Sequence, residues 1–247
     1  MTALEENLEK LEEAIQSACR AAGRARTEVE LMAVSKTFPA ERLIEAAGLG
    51  LKLFGENRVQ EYAAKAWALH AADSWTRAEP DEARRVHLIG HLQSNKAAKA
   101  AGIFDGVDSL DSLRLAERLN EAAQKLGKRL PVLVEVKLSP EATKNGVEPE
   151  SAEIFALLEA LPGLSHLAMC GLMTIAPWGA AEEVTRACFR RLRVLRDKWA
   201  QAHPRLNFDV LSMGMSGDFP LAIAEGATRI RVGTALFGKR SPQTIAD

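Results

Sequence analysis

A lysine at the end of an apolar segment is the first candidate for chemistry in this sequence. Lys36 ends the run 30–36, and Pro39 follows it closely. A short apolar run bounded by proline is typical of a buried strand, and ligands bind at the carboxyl ends of parallel strands. The amine of Lys36 is therefore a candidate for a Schiff base with a carbonyl ligand. This segment alone favours the alternative, a solvated lysine, because most lysines are exposed.

A second charged residue, Arg231, lies inside an otherwise apolar segment, 230–237. Burial of an unpaired guanidinium costs much free energy, so Arg231 must have a partner. That partner is either a carboxylate, such as that of Glu225, or the ring nitrogen of a bound heterocycle.

Small and hydroxyl residues are concentrated in two late segments, 212–217 and 231–234. Phosphate sites of barrel proteins often lie after the last two strands. Ser216 also comes just before a predicted helix, where free N–H groups suit an anion. An ordinary strand-to-helix turn, capped by Ser216 or Asp218, is an equally good explanation of the first segment.

Eight predicted strands alternate with helices along the chain. An additional helix precedes them, with Leu4, Leu8, Leu11 and Ile15 on one face. The pattern predicts an α/β fold, a single (β/α)8 TIM-type barrel with an extra N-terminal helix, in one domain over 1–247. An open doubly wound sheet is the alternative if a weak strand is wrong. The predicted strands are 30–36, 51–54, 86–89, 106–110, 131–138, 166–175, 208–213 and 229–237.

The composition excludes several classes of protein. The chain has 247 residues, with Lys+Arg 32 against Asp+Glu 33, so no basic excess indicates a nucleic acid or an anionic membrane. Its three cysteines lie far apart, which predicts no metal site and a reducing compartment. The acidic N-terminus is unlike a signal peptide, and no apolar run approaches the ~18 residues of a membrane span. We expect a cytoplasmic monomer, with the irregular segment 71–85 on its surface.

Six motifs together resemble those of one known family. The chain is similar to the pyridoxal phosphate homeostasis proteins, also called pyridoxal phosphate-binding proteins, from the first helix to near Gly238. The resemblance implies the barrel fold of the alanine racemase N-terminal domain, in agreement with the eight predicted strands. The motifs are VSK at 34–36, FGENRVQE at 54–61, HLIGHLQSNK at 87–96, GLMTI at 171–175, and the segments 211–218 and 231–238.

The resemblance implies pyridoxal 5'-phosphate as the cofactor and assigns nine residues to it. It implies that Lys36 is the Schiff-base lysine and that Arg231 faces the pyridine nitrogen. The role of the segment 87–96 stays open, because His91 and Lys96 either lie near the site or belong to an exposed helix start. The other implied residues are Ser216, Gly233 and Thr234 for the phosphate, with Ser212 close by, and Asn57, Met173 and Met213 for the pocket wall.

The same residues bear on whether this is an enzyme. An arginine can only donate to the ring nitrogen, which weakens the cofactor as an electron sink. The resemblance implies that alanine racemase-like enzymes also have an arginine here, so this argument alone does not exclude an enzyme. Racemisation also needs an acid or base on each face of the ring. The resemblance implies that related racemases obtain a second one, a tyrosine, from an additional C-terminal domain. Here the single tyrosine, Tyr62, is predicted on an outer helix, which leaves only His91 or Cys170.

We therefore predict a non-catalytic pyridoxal phosphate-binding protein that helps to control the free level of the cofactor. Its expected partners are pyridoxal phosphate itself and either amino acids or pyridoxal phosphate-dependent apo-enzymes. A racemase or decarboxylase of the alanine racemase barrel type is the first alternative. A barrel that binds another phosphate ligand, without pyridoxal, is the second.

Overall fold

A computed structural model shows eight parallel strands arranged in a closed barrel. It describes residues 2–72, 75, 83–139, 141 and 145–238. Most of the segment 71–85, predicted as a surface excursion, lies outside these residues. The strands are β1 Glu30–Val34, β2 Leu53–Glu56, β3 Arg85–Leu88, β4 Gly106–Leu110, β5 Leu130–Glu135, β6 Leu167–Met173, β7 Val210–Ser212 and β8 Arg229–Val232.

Helices follow the strands in the order of a (β/α)8 barrel. The longest described helices are α1, before the first strand, and the helix after β6. None of the helices within the described ranges combines the length and the apolarity that a membrane crossing requires. The α-helices are α1 Ala3–Ala21, α2 Ala40–Gly48, α3 Val59–Ala71, α4 Ala97–Ile103, α5 Leu113–Lys125, α6 Ala152–Ala160, α7 Glu182–Ala202, α8 Phe219–Ala224 and α9 Thr234–Phe237.

The barrel closes where the first strand pairs with the last. β1 and β8 run parallel, with Glu30 opposite Arg229 and Met32 opposite Arg231. The predicted (β/α)8 barrel is therefore confirmed, and the open sheet is excluded. The strand over 106–110, predicted with the weakest pattern, is present with these bounds.

The N-terminal helix α1 joins the beginning of the barrel to its end. It starts with a capping box, in which Thr2 and Glu5 satisfy each other's backbone N–H groups. Its buried face packs against α8 and α9. Arg24, just beyond the helix, donates hydrogen bonds to the carbonyls of Ile223 and Ala227, at 3.0 and 2.7 Å. The first and last parts of the chain therefore form one continuous wall.

Most of the core lies between the strands and the surrounding helices, but the lumen holds charged residues. Arg229 on β8 donates to Asp108 on β4 at 3.0 Å, across the barrel. The Asp108 carboxylate also contacts Nδ1 of His87 at 2.8 Å. Burial alone would raise the pKa of Asp108, but His87 and Arg229 lower it below its usual value. Asp108, His87 and Arg229 therefore form a paired group inside the lumen, which offsets part of the cost of their burial.

The predicted last strand, 229–237, is too long. β8 ends at Val232, and the apolar residues after it form the short helix α9. Leu236 and Phe237 are buried, because α9 packs against α1. Apolar residues over such a short stretch suit a buried strand and a buried helical turn equally.

Candidate functional site

A cavity of about 820 Å³ opens at the carboxyl ends of the strands. Its volume is in the usual range for sites that bind small molecules. Lys36 lines it two residues beyond the end of β1, and Asn57 lines it just after β2. Six of the nine residues predicted for the site are in its wall: Lys36, Asn57, Ser216, Arg231, Gly233 and Thr234.

The other three predicted residues, Met173, Ser212 and Met213, lie behind the cavity wall. All three are fully buried and do not line the cavity. The hydroxyl of Ser212 accepts a hydrogen bond from Nη1 of Arg231 at 2.9 Å, so this serine acts on the cavity through Arg231. Met213 belongs to the main cluster of buried apolar residues.

Arg231 is held by neutral oxygen atoms. Its Nη1 donates to the carbonyl of Ser212 at 2.7 Å, and its Nη2 donates to the carbonyl of Thr174 at 2.8 Å. The carboxylate of Glu225, considered as a partner from the sequence, instead accepts from Arg190 at 2.9 Å. Burial lowers the pKa of Arg231, although Asp108 and Glu135 lie near enough to oppose this. Nε of Arg231 donates to no acceptor within the described residues, which leaves this donor for a ligand.

Two short loops supply backbone donors on one side of the cavity. Ser216 and Gly217 follow β7, and Gly233 and Thr234 follow β8. Within the described part of the chain, the N–H groups of these four residues have no hydrogen-bond acceptor. The side chain of Ser216 accepts from the N–H of Ala235 at 3.4 Å and so connects the two loops. N–H groups of this kind at a cavity wall suit a phosphate group.

Similarity to known proteins extends over nearly the whole chain. The family described as alanine racemase, N-terminal domain, matches residues 3–241. The chain is 40% identical to the pyridoxal phosphate homeostasis protein of Vibrio cholerae over 97% of this chain and 98% of that one. It is 43% identical to the protein of the same name from Aquifex aeolicus, over 95% and 97%.

The chain belongs to the pyridoxal phosphate homeostasis protein family. A solved structure of PipY from Synechococcus elongatus, with pyridoxal phosphate bound, has a TM-score of 0.81 to this chain. The two sequences are 42% identical, and the match covers 95% of this chain and 100% of PipY. Alanine racemase from Clostridium difficile has a TM-score of 0.72 at 16% identity, over 99% of this chain and 58% of the racemase. That distant likeness shows a shared barrel fold.

Of the segment 87–96, whose role the sequence left open, Ile89 lines the cavity, whereas His91 and Lys96 do not. His87 is buried in the lumen, next to Asp108. His91 is half-exposed and contacts Asp111 at 3.1 Å. Ser94–Lys96 form a turn of 3-10 helix that leads into α4. Apart from Ile89, the segment 87–96 therefore has a structural role at the rim of the barrel.

Two groups of residues near the site were missed by the sequence prediction. One is the rim 175–180, which includes the exposed indole of Trp178 and begins at the last residue of the sixth predicted strand. The other is a buried pair, Glu56 on β2 and Lys65 on α3, beneath the turn that carries Lys36. A carboxylate at the end of an apolar strand is the sequence signal that could have identified Glu56, as a guanidinium identified Arg231.

Proposed function

We propose that this protein binds pyridoxal 5'-phosphate, holds it covalently and reversibly through Lys36, and helps to control its free level without turning over amino acids. Its relatives named pyridoxal phosphate homeostasis proteins and the PipY structure with bound pyridoxal phosphate support this proposal. The exchange partners are amines, carried either by amino acids or by apo-enzymes that use the cofactor.

One observation carries the proposal: a single cavity brings together an amine, a guanidinium donor and four N–H groups that have no acceptor among the described residues. These groups match the aldehyde, the ring nitrogen and the phosphate of pyridoxal phosphate. Lys36 would hold the aldehyde carbon, Nε of Arg231 would donate to the ring nitrogen, and the loops at 216–217 and 233–234 would hold the phosphate. Val34, Ile89 and Met215 provide apolar wall for the ring.

When bound, pyridoxal phosphate supplies an aldehyde that condenses reversibly with amines and a ring that withdraws electrons from the carbon next to the nitrogen. Arg231 limits the second property, because a guanidinium stays charged and donates to the ring nitrogen without protonating it. The first property needs only Lys36 and the cavity. The site is therefore better suited to storage and release than to carbanion chemistry.

The lack of an evident second base also favours binding without turnover. Tyr62, the only tyrosine, is buried on α3 against Phe104, with ring centroids 4.8 Å apart. His91 and Cys170 do not line the cavity. Glu182 and Asp218 do line it, but Glu182 is paired with Arg186 at 2.9 Å and Asp218 accepts the N–H of Met215 at 2.5 Å. Within the described residues, Lys36 is thus the best placed proton carrier.

The first prediction concerns the covalent link. Purified protein loaded with pyridoxal phosphate should absorb visible light, and Lys36→Ala should abolish this band. Borohydride reduction should add the mass of the reduced cofactor to the peptide that contains Lys36. Lys137→Ala is a matched control, because Lys137 also follows a strand but forms a salt bridge with Glu148 at 3.2 Å. If Lys36→Ala keeps the band, or the mass appears elsewhere, Lys36 is not the anchor.

An amino-acid racemase remains the alternative from the same barrel type. Incubation of the loaded protein with single-enantiomer amino acids, followed by chiral chromatography, separates the two functions. Turnover of about 1 per second or faster would favour the enzyme, since this is the low end of ordinary kcat values. We expect the added enantiomers to stay unchanged.

A further inference from the structure

The turn that carries Lys36 has an unusual backbone. Among the described residues, Thr37 is the one non-glycine with a left-handed φ, at 70°. Such a conformation costs about 1–3 kcal/mol in general and is rarest for β-branched residues. It persists only where the surrounding structure imposes it. The position of Lys36, directly before Thr37, therefore depends on what holds this turn.

A buried lysine on α3 holds both ends of the turn. Nζ of Lys65 donates to the carbonyl of Ser35 at 3.3 Å and to the carbonyl of Phe38 at 2.8 Å. These carbonyls flank Lys36 and Thr37 in the chain. The N–H of Thr37 donates to Oε1 of Glu61, which fixes the middle of the turn.

Two carboxylates in turn fix Lys65. Its ammonium lies 2.8 Å from Glu56 and 3.2 Å from Glu61. The hydroxyl of Ser35 donates to the same oxygen of Glu56 at 2.6 Å. Every member of the network thus contacts either the Lys36 turn or Lys65 directly.

Stability alone is a poor explanation for this network. Glu56 is fully buried and Lys65 nearly so, and burial raises the pKa of Glu56 despite the nearby Lys65. Oε2 of Glu56 has no partner among the described residues. Apolar residues of similar size often replace a buried ion pair without loss of stability. A role in placing Lys36 accounts for the charges better.

We propose that Lys65, fixed by Glu56 and Glu61, is a positioning residue that aims the amine of Lys36 into the cavity. The inference rests on the proposed function, since it concerns how Lys36 reaches the aldehyde. It assigns to Lys65 the covalent part of binding, while the loops at 216–217 and 233–234 hold the phosphate independently of it.

Two ligands separate these parts. Pyridoxal 5'-phosphate can bond to Lys36, whereas pyridoxine 5'-phosphate has the same ring and phosphate with an alcohol in place of the aldehyde. Equilibrium dialysis of the full chain measures both affinities. For Lys65→Met we expect an affinity for pyridoxal phosphate about 10- to 100-fold weaker than that of the wild type, because the amine of Lys36 would be misplaced relative to the aldehyde. The affinity for pyridoxine phosphate should stay within about twofold of the wild-type value. The visible band of the loaded protein should weaken in parallel.

Two further variants keep the test decisive. Glu61→Ala removes the acceptor for Thr37 on a partly exposed side chain, and it should cause the same selective loss if Lys65→Met does not fold. Lys128→Met is the matched control, since Lys128 also donates to a loop carbonyl, that of Phe104 at 3.0 Å, away from the cavity. It should leave both affinities unchanged.

The outcomes distinguish the inference from the function on which it rests. Equal losses for both ligands would mean that Lys65 only supports the fold. Unchanged affinity for pyridoxal phosphate in Lys65→Met and Glu61→Ala would also overturn the positioning role. If the wild-type protein binds the two ligands equally, the covalent link itself is wrong, and the proposed function fails first.

Discussion

Arg231 shows how one residue can be both costly and informative. It is buried in the barrel wall and bonded to the carbonyls of Ser212 and Thr174, which are neutral partners. Neutral acceptors repay only part of the cost of removing a guanidinium from water. An anionic ligand in the cavity would offset part of the cost that remains.

Glu135 is a second buried charge, and it makes stability depend on pH. It ends β5, and Oε2 has no partner within the described residues. Burial and the nearby Asp111 raise its pKa to about 7, and Arg231 opposes this shift. Between pH ~4.5 and ~7 the folded protein keeps a proton that the unfolded chain releases, so the free energy of unfolding falls as pH rises.

We therefore expect Glu135→Gln to remove this part of the pH dependence. Between pH ~4.5 and ~7 the free energy of unfolding of the wild-type apo-protein should fall by roughly 3 kcal/mol more than that of the variant. The expected slope is about 1.4 kcal/mol per pH unit. Urea denaturation at several pH values measures the difference. Glu121→Gln, at an exposed position on α5, is the control and should follow the wild type. If the free energy of unfolding depends on pH in the same way for wild type and Glu135→Gln, the pKa of Glu135 is not raised.

At this scale the sequence draws attention to charged residues in apolar strands, although it did not identify the buried pair Glu56 and Lys65. Lys36 and Arg231 were singled out because a charge in an apolar strand needs an explanation, and both line the cavity. Ser212, Met173 and Met213 were assigned to the pocket, but the direction of a side chain depends on the exact pleat. The pleat is shifted where β5 pairs with β6, between Val132 and Leu133, and such shifts leave no clear sequence signal.

At the scale of elements, the carboxyl ends of β2 and β3 approach each other closely. A Cβ atom at Gly90, which follows β3, would lie 2.6 Å from Oδ1 of Asn57 and would also clash with its carbonyl. Asn57 lines the cavity just after β2. The absence of a side chain at Gly90 therefore places Asn57 in the wall.

We expect Gly90→Ala to displace Asn57 and to weaken the binding of pyridoxal phosphate. The same overpacking should lower the free energy of unfolding by about 1–3 kcal/mol. Gly102→Ala is the control, since nothing lies within 4 Å of the added methyl group on α4. That change should leave cofactor affinity unaltered and stability equal or slightly higher. Equal cofactor affinity in Gly90→Ala and wild type would show that Asn57 does not depend on this contact.

The elements themselves were largely predictable, because β-branched and apolar runs alternate regularly with amphipathic helices. The end of β8 was not. The residues 234–237 are apolar and follow a strand directly, so local pattern favours continuing it. Their helical form depends on packing against α1, more than 200 residues away in sequence. Contacts over such separations are absent from any local pattern.

At the scale of the whole molecule, the site depends on the closure of the barrel. Lys36 follows the first strand, whereas the loops at 216–217 and 233–234 follow the last two. β1 pairs with β8, and Asn7 on α1 donates to the carbonyl of Leu236 at 3.0 Å. A ligand in the cavity therefore contacts both ends of the folded chain at once.

This geometry predicts one cooperative unfolding transition, as for a single domain. Circular dichroism and tryptophan fluorescence should give coincident urea curves. Pyridoxal phosphate at 100 times its Kd should raise the free energy of unfolding by about 2.7 kcal/mol and move the whole transition.

Ile15→Ala, a change in the fully buried face of α1, should lower the free energy of unfolding by about 2–5 kcal/mol without splitting the transition. Two separate transitions, with only one sensitive to the cofactor, would mean that the barrel is not a single unit, because β1 and β8 would then unfold independently.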